Sequence, residues 1–297
     1  MIRALLIGGS GQLGTEIRRR WTGCDVIAPP HGDLDLEDSG ALADAVESAA
    51  PNVVVNCAAF HNVDRCEAEP ERALAVNALA VGRAARLCGE RDVGFVTVSS
   101  DYVFDGASRR AYCEDDPVHP ISAYGISKLA GELLAESAGS RALVVRTCGV
   151  YGLRPSANKG YTFVDRVINQ ARAREPLRIV NDVWASPTFA GHLALALRVL
   201  LDAGASGLYH AANAGPVTWY DFAKEALAQA GIDYDVEPIS ARDWKMAARR
   251  PAFSALDSPK LRGLGFEMPS WREGIAAYLE ALRDPAVSPP SKAVHRP

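Results

Sequence analysis

No stretch of this chain has the length or the greasiness of a membrane span. Apolar runs such as Val53-Val54-Val55 are far shorter than the roughly 20 residues a spanning helix needs. Positive charge is not in excess either. The net charge of −4 at pH 7 leaves no basic surface of the kind that nucleic acid or anionic lipid would demand. The six cysteines include no C-x-x-C pair, so neither a zinc site nor a redox pair is indicated, and most are expected to be small buried apolar residues. Nothing specifies a metal site of any other kind. Internal repeats and low-complexity segments are absent from the chain. A first strand beginning at residue 2 leaves no room for a signal peptide, and the expectation is a cytoplasmic protein.

What remains is an ordinary soluble composition over 297 residues, 48% hydrophobic and 23% charged, long enough for a substantial buried core. Its most informative feature comes at the start. Ile2 to Ile7 is a short apolar run of strand type. Gly9-Ser10-Gly11-Gln12-Leu13-Gly14 follows, and then a helical stretch to Trp21. Glycines between a strand and a helix permit a tight turn and let backbone N–H groups approach a pyrophosphate at the positive end of the helix. Gly8 adds the related spacing G-x-x-G-x-x-G with Gly11 and Gly14.

The rhythm continues. Strands are predicted at about 2–8, 24–28, 52–57, 93–99 and 142–148, with helices near 12–21, 38–49, 70–90 and 122–137. Such alternation implies an α/β fold of the Rossmann type, a doubly wound parallel sheet with ligands beyond the C-terminal ends of its strands. After about residue 148 the rhythm loosens. Helices are predicted near 161–173, 188–202, 218–230 and 271–282, with short apolar runs at 177–180, 207–211 and 235–239. The expected division is a dinucleotide-binding domain at 1–148 plus about 188–213, and a smaller, interleaved C-terminal substrate domain at about 149–187 and 214–284. The last stretch, 285–297, carries four prolines and is expected to be a disordered tail.

Two short segments carry the chemistry. Tyr124-Gly125-Ile126-Ser127-Lys128 opens a predicted helix, and residues four apart share a helical face, so phenol and ammonium project the same way. The expectation is that the ammonium lowers the phenol's pKa from its usual value of about 10. Ser99-Ser100-Asp101-Tyr102 falls where a strand gives way to a loop at the ligand edge. A Ser100 hydroxyl there can donate to an oxygen whose charge changes during reaction.

With Asn56-Cys57-Ala58-Ala59 and Arg146-Thr147, these motifs resemble the extended short-chain dehydrogenase/reductases. Within that family the chain is most similar to the dTDP-4-dehydrorhamnose reductases. Val63-Asp64-x-x-Glu67, Asp101-Tyr102-Val103-Phe104, Val180-Asn181-Asp182 with Pro187-Thr188, Gly207-Leu208-Tyr209-His210 and Arg250-Pro251 carry that closer likeness. It implies a catalytic triad of Ser100, Tyr124 and Lys128, with Tyr124 protonating a ketone oxygen as a nicotinamide delivers hydride. Gly8, Gly11, Gln12, Leu13 and Gly14 would cradle the pyrophosphate, Asp35 and Leu36 would flank the adenine, and Ala58, Ala59, Asn77 and Ser99 would line the cofactor groove, with Tyr124 and Lys128 at the nicotinamide end. His61, Val63, Ser100, Tyr102, Tyr124, Gly149 and Arg250 would face a nucleotide-sugar substrate. The partner implied is that small molecule, with a homodimer as a further expectation and neither nucleic acid nor membrane.

NADPH is the expected cofactor, with NADH tolerated. The second strand ends Ile27-Ala28-Pro29 without the acid that would accept ribose hydroxyls and repel a 2′-phosphate. His31 or Arg18 could reach that phosphate. The chain departs from the resembled group at the sugar side. That group often reads Arg-Thr-Ser-Trp-Val-Tyr where this chain has Arg146-Thr147-Cys148-Gly149-Val150-Tyr151, and His61-Asn62 also differs. The expected reaction is reduction of the 4-keto group of dTDP-4-dehydro-L-rhamnose. Its rivals are 4-ketoreduction of another nucleotide deoxysugar, an epimerase of the same superfamily, and a non-catalytic NADP-binding regulatory subunit like that of methionine adenosyltransferase.

Several residues have equally simple structural readings. Asp64 and Glu67 fit a helix start, Arg249-Arg250 fits a solvated pair, and Trp184, Trp219, Trp244 and Trp271 fit core or interface positions.

Overall fold

A computed structural model describes residues 1–139, 141–154, 160–243 and 246–284. Trp244 and the expected tail at 285–297 lie outside the described residues. The N-terminal half builds β1 (Arg3–Ile7), α1 (Gln12–Arg20), β2 (Asp25–Ile27), α2 (Ser39–Ala49) and β3 (Val53–Asn56). Then come α3 (Val63–Ala68), α4 (Pro70–Leu74), a π-helical segment at Ala75–Ala80, α5 (Val81–Glu90), β4 (Gly94–Ser100), α6 (Ala123–Ser137) and β5 (Ala142–Thr147). The remainder holds α7 (Phe163–Arg172), β6 (Leu177–Val180), β7 (Trp184–Ala185), α8 (Ala190–Asp202), β8 (Gly207–His210), β9 (Val217–Thr218), α9 (Trp219–Gln229), β10 (Val236–Ile239), α10 (Pro259–Gly263) and α11 (Trp271–Arg283).

Six strands form one parallel sheet in the order β2-β1-β3-β4-β5-β8. The order reverses between β1 and β3, and that switch point is where open α/β sheets take their ligands. Successive strand residues feed opposite layers. Ala4 and Leu6 pack with Leu13, Ile17, Leu193 and Leu197 under α1 and α8. Leu5 and Ile7 pack with Leu42, Val81, Ala85 and Phe95 on the other face. Burial on both faces explains why these strands read as continuous apolar runs. A separate core joins α7, α9 and α11 through Val164, Val167, Phe222, Ile275 and Tyr278.

The predicted elements match closely up to β5, with one correction. The single helix expected at 70–90 is three pieces, with a π-helical segment in the middle, and α3 precedes it. The run at 207–211 supplies the sixth strand of the main sheet, while 177–180 and 235–239 pair with each other as β6 and β10. Among the described residues no helix is long and apolar enough to cross a membrane.

Candidate active site

The glycine turn lies between β1 and α1, at the switch point. Gly8 holds φ +77, a left-handed conformation that side chains disfavour, and a Cβ on it would sit 2.9 Å from the Ala58 nitrogen. A Cβ on Gly14 would come within 2.7 Å of the Gly8 carbonyl oxygen. Any side chain at these positions would therefore fill the cradle or push β1, α1 and the Ala58 loop apart. The bare backbone and the open N-terminus of α1, with Gly11 at its cap and Gln12 and Leu13 in its first turn, suit a diphosphate. This donor set fits a dinucleotide.

The groove beside it is more committed than the sequence suggests. Ala58 N–H donates to Asn56 Oδ1 at 3.0 Å. Asn77, in the π-helical segment, takes the Phe60 N–H at 2.8 Å and donates to Phe60 O at 2.9 Å and Ser127 Oγ at 3.0 Å. Its amide is used up in pinning the 58–61 loop to α6, so Asn77 shapes the groove wall. Ser99 is likewise spent, since its buried hydroxyl donates to Glu132. Asp35 accepts the Glu37 N–H at 3.0 Å and faces His31, 3.7 Å away. Leu36 puts its side chain into the core, leaving only its backbone for a ligand.

Ser100, Tyr124 and Lys128 come together. Ser100 is the last residue of β4, and Tyr124 is the second residue of α6. Three contacts fix that helix start. Ser122 Oγ accepts from Gly125 N at 3.1 Å, and Glu67 Oε1 accepts from Ala123 N at 2.8 Å. Gly125 is pressed against Tyr102, whose carbonyl oxygen a Cβ at residue 125 would strike. The Tyr124 phenol consequently lies close to Ser100 and meets the Tyr102 ring edge-on at 5.7 Å. Lys128 lies one turn on, buried, with Nζ donating to Val98 O at 2.7 Å.

The electrostatics correct one expectation. Burial pushes the Tyr124 phenol above its usual value, against a smaller lowering by Ser100. Lys128 does not figure among the charges acting on it. The ammonium is itself held down to about 8 by burial, with Glu132 pulling it back up. A phenol kept protonated still carries the proton a ketone oxygen would take, but as a weaker acid than the sequence-based expectation supposed.

Of the residues expected to face substrate, Tyr102 and Arg250 extend the same wall. Arg250 pairs with Asp64 at 2.7 Å and lies close to the Tyr102 phenol. Asp64 also accepts Ala248 N–H at 3.0 Å. Arg250 is therefore not a solvated residue, while its neighbour Arg249 is exposed. Asp64 is more than a helix-start charge. Val63 is half-buried at the start of α3, and His61 is exposed on the preceding loop, 3.3 Å from Ala59 O. Gly149 follows β5 with φ +49, and Trp219 packs over it. Trp271 is a core residue, but Trp184 is 40% exposed against Phe253.

Two residues next to the triad escaped sequence reasoning. Asp101 is buried directly behind Ser100, and Cys148 Sγ lies 3.2 Å from its Oδ2. Of the six free cysteines only Cys66, Cys88 and Cys148 are buried, and Cys148 is engaged in polar contact, so the expectation that most are small buried apolar residues holds only in part. Glu132 was visible as the i+4 partner of Lys128. It forms a buried ion pair with Arg146 at 2.7 Å.

Comparison with known proteins agrees with this geometry. The sequence profile of the RmlD substrate binding domain family matches residues 2–284. A dTDP-4-dehydrorhamnose reductase of Burkholderia thailandensis is 36% identical over 95% of this chain and 99% of that protein. A probable dTDP-4,6-dihydroxy-2-methyloxan-3-one 4-ketoreductase of Streptomyces antibioticus is 36% identical over 98% and 99%. The crystal structure of dTDP-4-dehydrorhamnose reductase from Bacillus anthracis in complex with NADP superposes with a TM-score of 0.89 at 30% identity, covering 94% of this chain and 99% of that one. With a glycine cradle at the switch point, a Ser–Tyr–Lys cluster at the strand ends and a profile spanning nearly every described residue, the chain belongs to the RmlD family of extended short-chain dehydrogenase/reductases.

Proposed function

We propose that this protein is an NADPH-dependent reductase of the 4-keto group of a nucleotide-activated deoxysugar, with dTDP-4-dehydro-L-rhamnose the favoured substrate and dTDP-L-rhamnose the product. The observation that carries it is the convergence of Ser100, Tyr124 and Lys128 at the C-terminal edge of the sheet, the edge that also carries the glycine cradle. Bound NADPH supplies the hydride. Gly8, Gly11 and Gly14, with the amides of Gln12 and Leu13, hold its diphosphate. Tyr124 gives its proton to the ketone oxygen, Ser100 donates a hydrogen bond to that oxygen, and Lys128 holds the nicotinamide ribose hydroxyls. Tyr102 and Arg250 line the sugar-nucleotide side, with Val63 and His61 on the neighbouring loop.

The nucleotide fold comprises 1–148 and about 188–213 in this reading, and the substrate side about 149–187 and 214–284. A cytoplasmic location and a homodimer belong to the same reading. Supporting the latter, Ile126 and Leu133 of α6 and Leu79 beside it leave apolar surface in water, between 50% and 59% exposed. Sedimentation tests the dimer.

One observation favours a second reading for the substrate. Gly149 under Trp219 shapes the sugar side differently from an intrinsic tryptophan at residue 149, and a relative at 36% identity is named for a different 4-ketosugar. A panel of dTDP-4-ketosugars assayed by loss of NADPH absorbance decides between the two. No oxidation with any member, together with a firm protein partner, would instead make the chain a regulatory subunit.

A further inference from the structure

The buried carboxyl of Asp101 has no part in the chemistry above, yet it touches the triad. Its Oδ1 lies 2.9 Å from Ser100 Oγ. Its Oδ2 lies 3.2 Å from Cys148 Sγ, and the Ser254 hydroxyl lies close to the same carboxyl. The titratable groups facing it are the Cys148 thiol and the Tyr102 and Tyr124 phenols, all held neutral by burial. Among the described residues no ion pair reaches Asp101, and Arg146 and Arg250 pair with Glu132 and Asp64 instead.

A count of hydrogens then discriminates between its two forms. Ser100 Oγ has one hydrogen to give and two lone pairs to fill. Tyr102 N–H fills one lone pair, at 3.2 Å. If Asp101 is ionised it can only accept, so the Ser100 hydrogen goes to Asp101 and none remains for a ketone oxygen. If Asp101 is protonated, its O–H fills the second lone pair of Ser100. The Ser100 hydrogen then turns toward Tyr124 and the reacting oxygen, and the Tyr124 hydrogen is left free for the ketone.

We propose that Asp101 is a positioning residue that works as a neutral carboxylic acid, donating to Ser100 Oγ and so aiming the Ser100 hydroxyl at the reacting oxygen. No proton leaves Asp101; the group orients and does not transfer. Burial pushes this carboxyl upward, in agreement. Cys148 contributes too, because a thiol is a weaker donor than a hydroxyl and does less to stabilise a carboxylate.

This inference rests on the reading of Ser100 as donor to the ketone, and its test has a readout apart from activity. Infrared difference spectra of the full-length protein at pH 7 should contain a protonated-carboxyl carbonyl stretch that disappears in Asp101→Asn and moves in Cys148→Ser. The second variant changes the donor on the other oxygen and keeps the assay decisive if the first folds poorly. Asparagine is the permanent isostere of the neutral acid, so Asp101→Asn should keep turnover within about threefold, the scale of exchanging one neutral hydrogen bond for another. Ser100→Ala should lose on the order of 10²-fold. A wild-type spectrum without a carboxyl band that responds to either variant overturns the inference. So does an Asp101→Asn enzyme that still binds NADP⁺ but is as slow as Ser100→Ala. A band that behaves as described in a protein that reduces no ketosugar would leave the Asp101 hydrogen bond standing and sink the reductase reading instead.

Discussion

Trp219 lies over Gly149, with its Cη2 atom 3.0 Å from the position a Cβ on residue 149 would take. Both features of residue 149 demand glycine: the left-handed backbone and the indole above it. Gly149→Ala should therefore lower unfolding free energy by about 1–2 kcal/mol, the cost of forcing an L side chain into that conformation. Urea titration measures it. An unchanged midpoint would mean that the backbone at residue 149 relaxes out of the left-handed region and that Trp219 yields to the new side chain.

Tyr124→Phe keeps the ring and its edge contact with Tyr102 while removing the acid. Turnover should fall by about 10²-fold or more with NADPH affinity nearly unchanged. Steady-state kinetics together with fluorescence titration of the cofactor separates the two quantities. Near-normal turnover would remove Tyr124 from the chemistry.

Lys128 gives a pH dependence whose sign can be worked out. Its folded pKa is about 8, below the ordinary 10.5, so the folded chain gives up this proton first as pH rises. Below about 8 both folded and unfolded chains are charged, and the burial cost is present in full. Between about 8 and 10.5 the unfolded chain holds the extra proton, so stability of the cofactor-free protein should rise with pH across that window. The ability of the ammonium to hold ribose hydroxyls is lost over the same interval. NADP⁺ affinity should thus weaken above pH 8 in the wild type and stay flat in Lys128→Met. Calorimetric titration at pH 7 and 9 checks this.

His210 follows the same sign in a lower pH window. Burial, with help from Arg146, holds it down to about 4, against an ordinary 6.5. Unfolded chains bind this proton first as pH falls, so stability should drop between about 6.5 and 4, by about 3 kcal/mol in total. Denaturation at pH 7 and 4.5 should show most of that loss in the wild type. The loss should be smaller by a comparable amount in His210→Asn, whatever the starting stability of the variant.

The parts of this fold that were legible in the sequence are those set by local pattern. A strand, a glycine turn and a helix at residues 2–21 need only neighbours in sequence to declare themselves. The i+4 spacing of Tyr124 and Lys128 works the same way. What stayed hidden depends on distant partners. Nothing near residue 101 says that Cys148, from the end of β5, and Ser254, from a loop more than 150 positions on, will close around its carboxyl. The π-helical segment within 70–90 is invisible to periodicity, since its sequence is helical on any count. The direction of the Tyr124 shift was misjudged because spacing gives a shared helical face and not burial, and burial outweighs the neighbouring charge.

The short helix α3 has a mechanical meaning. From its six residues Asp64 grips the 248–250 segment and Glu67 grips the first N–H of α6. It is a strut joining the arm that carries Arg250 to the helix that carries Tyr124. An outward swing of that arm would pull on the start of the helix that carries Tyr124, so the two sides are geared to each other through α3.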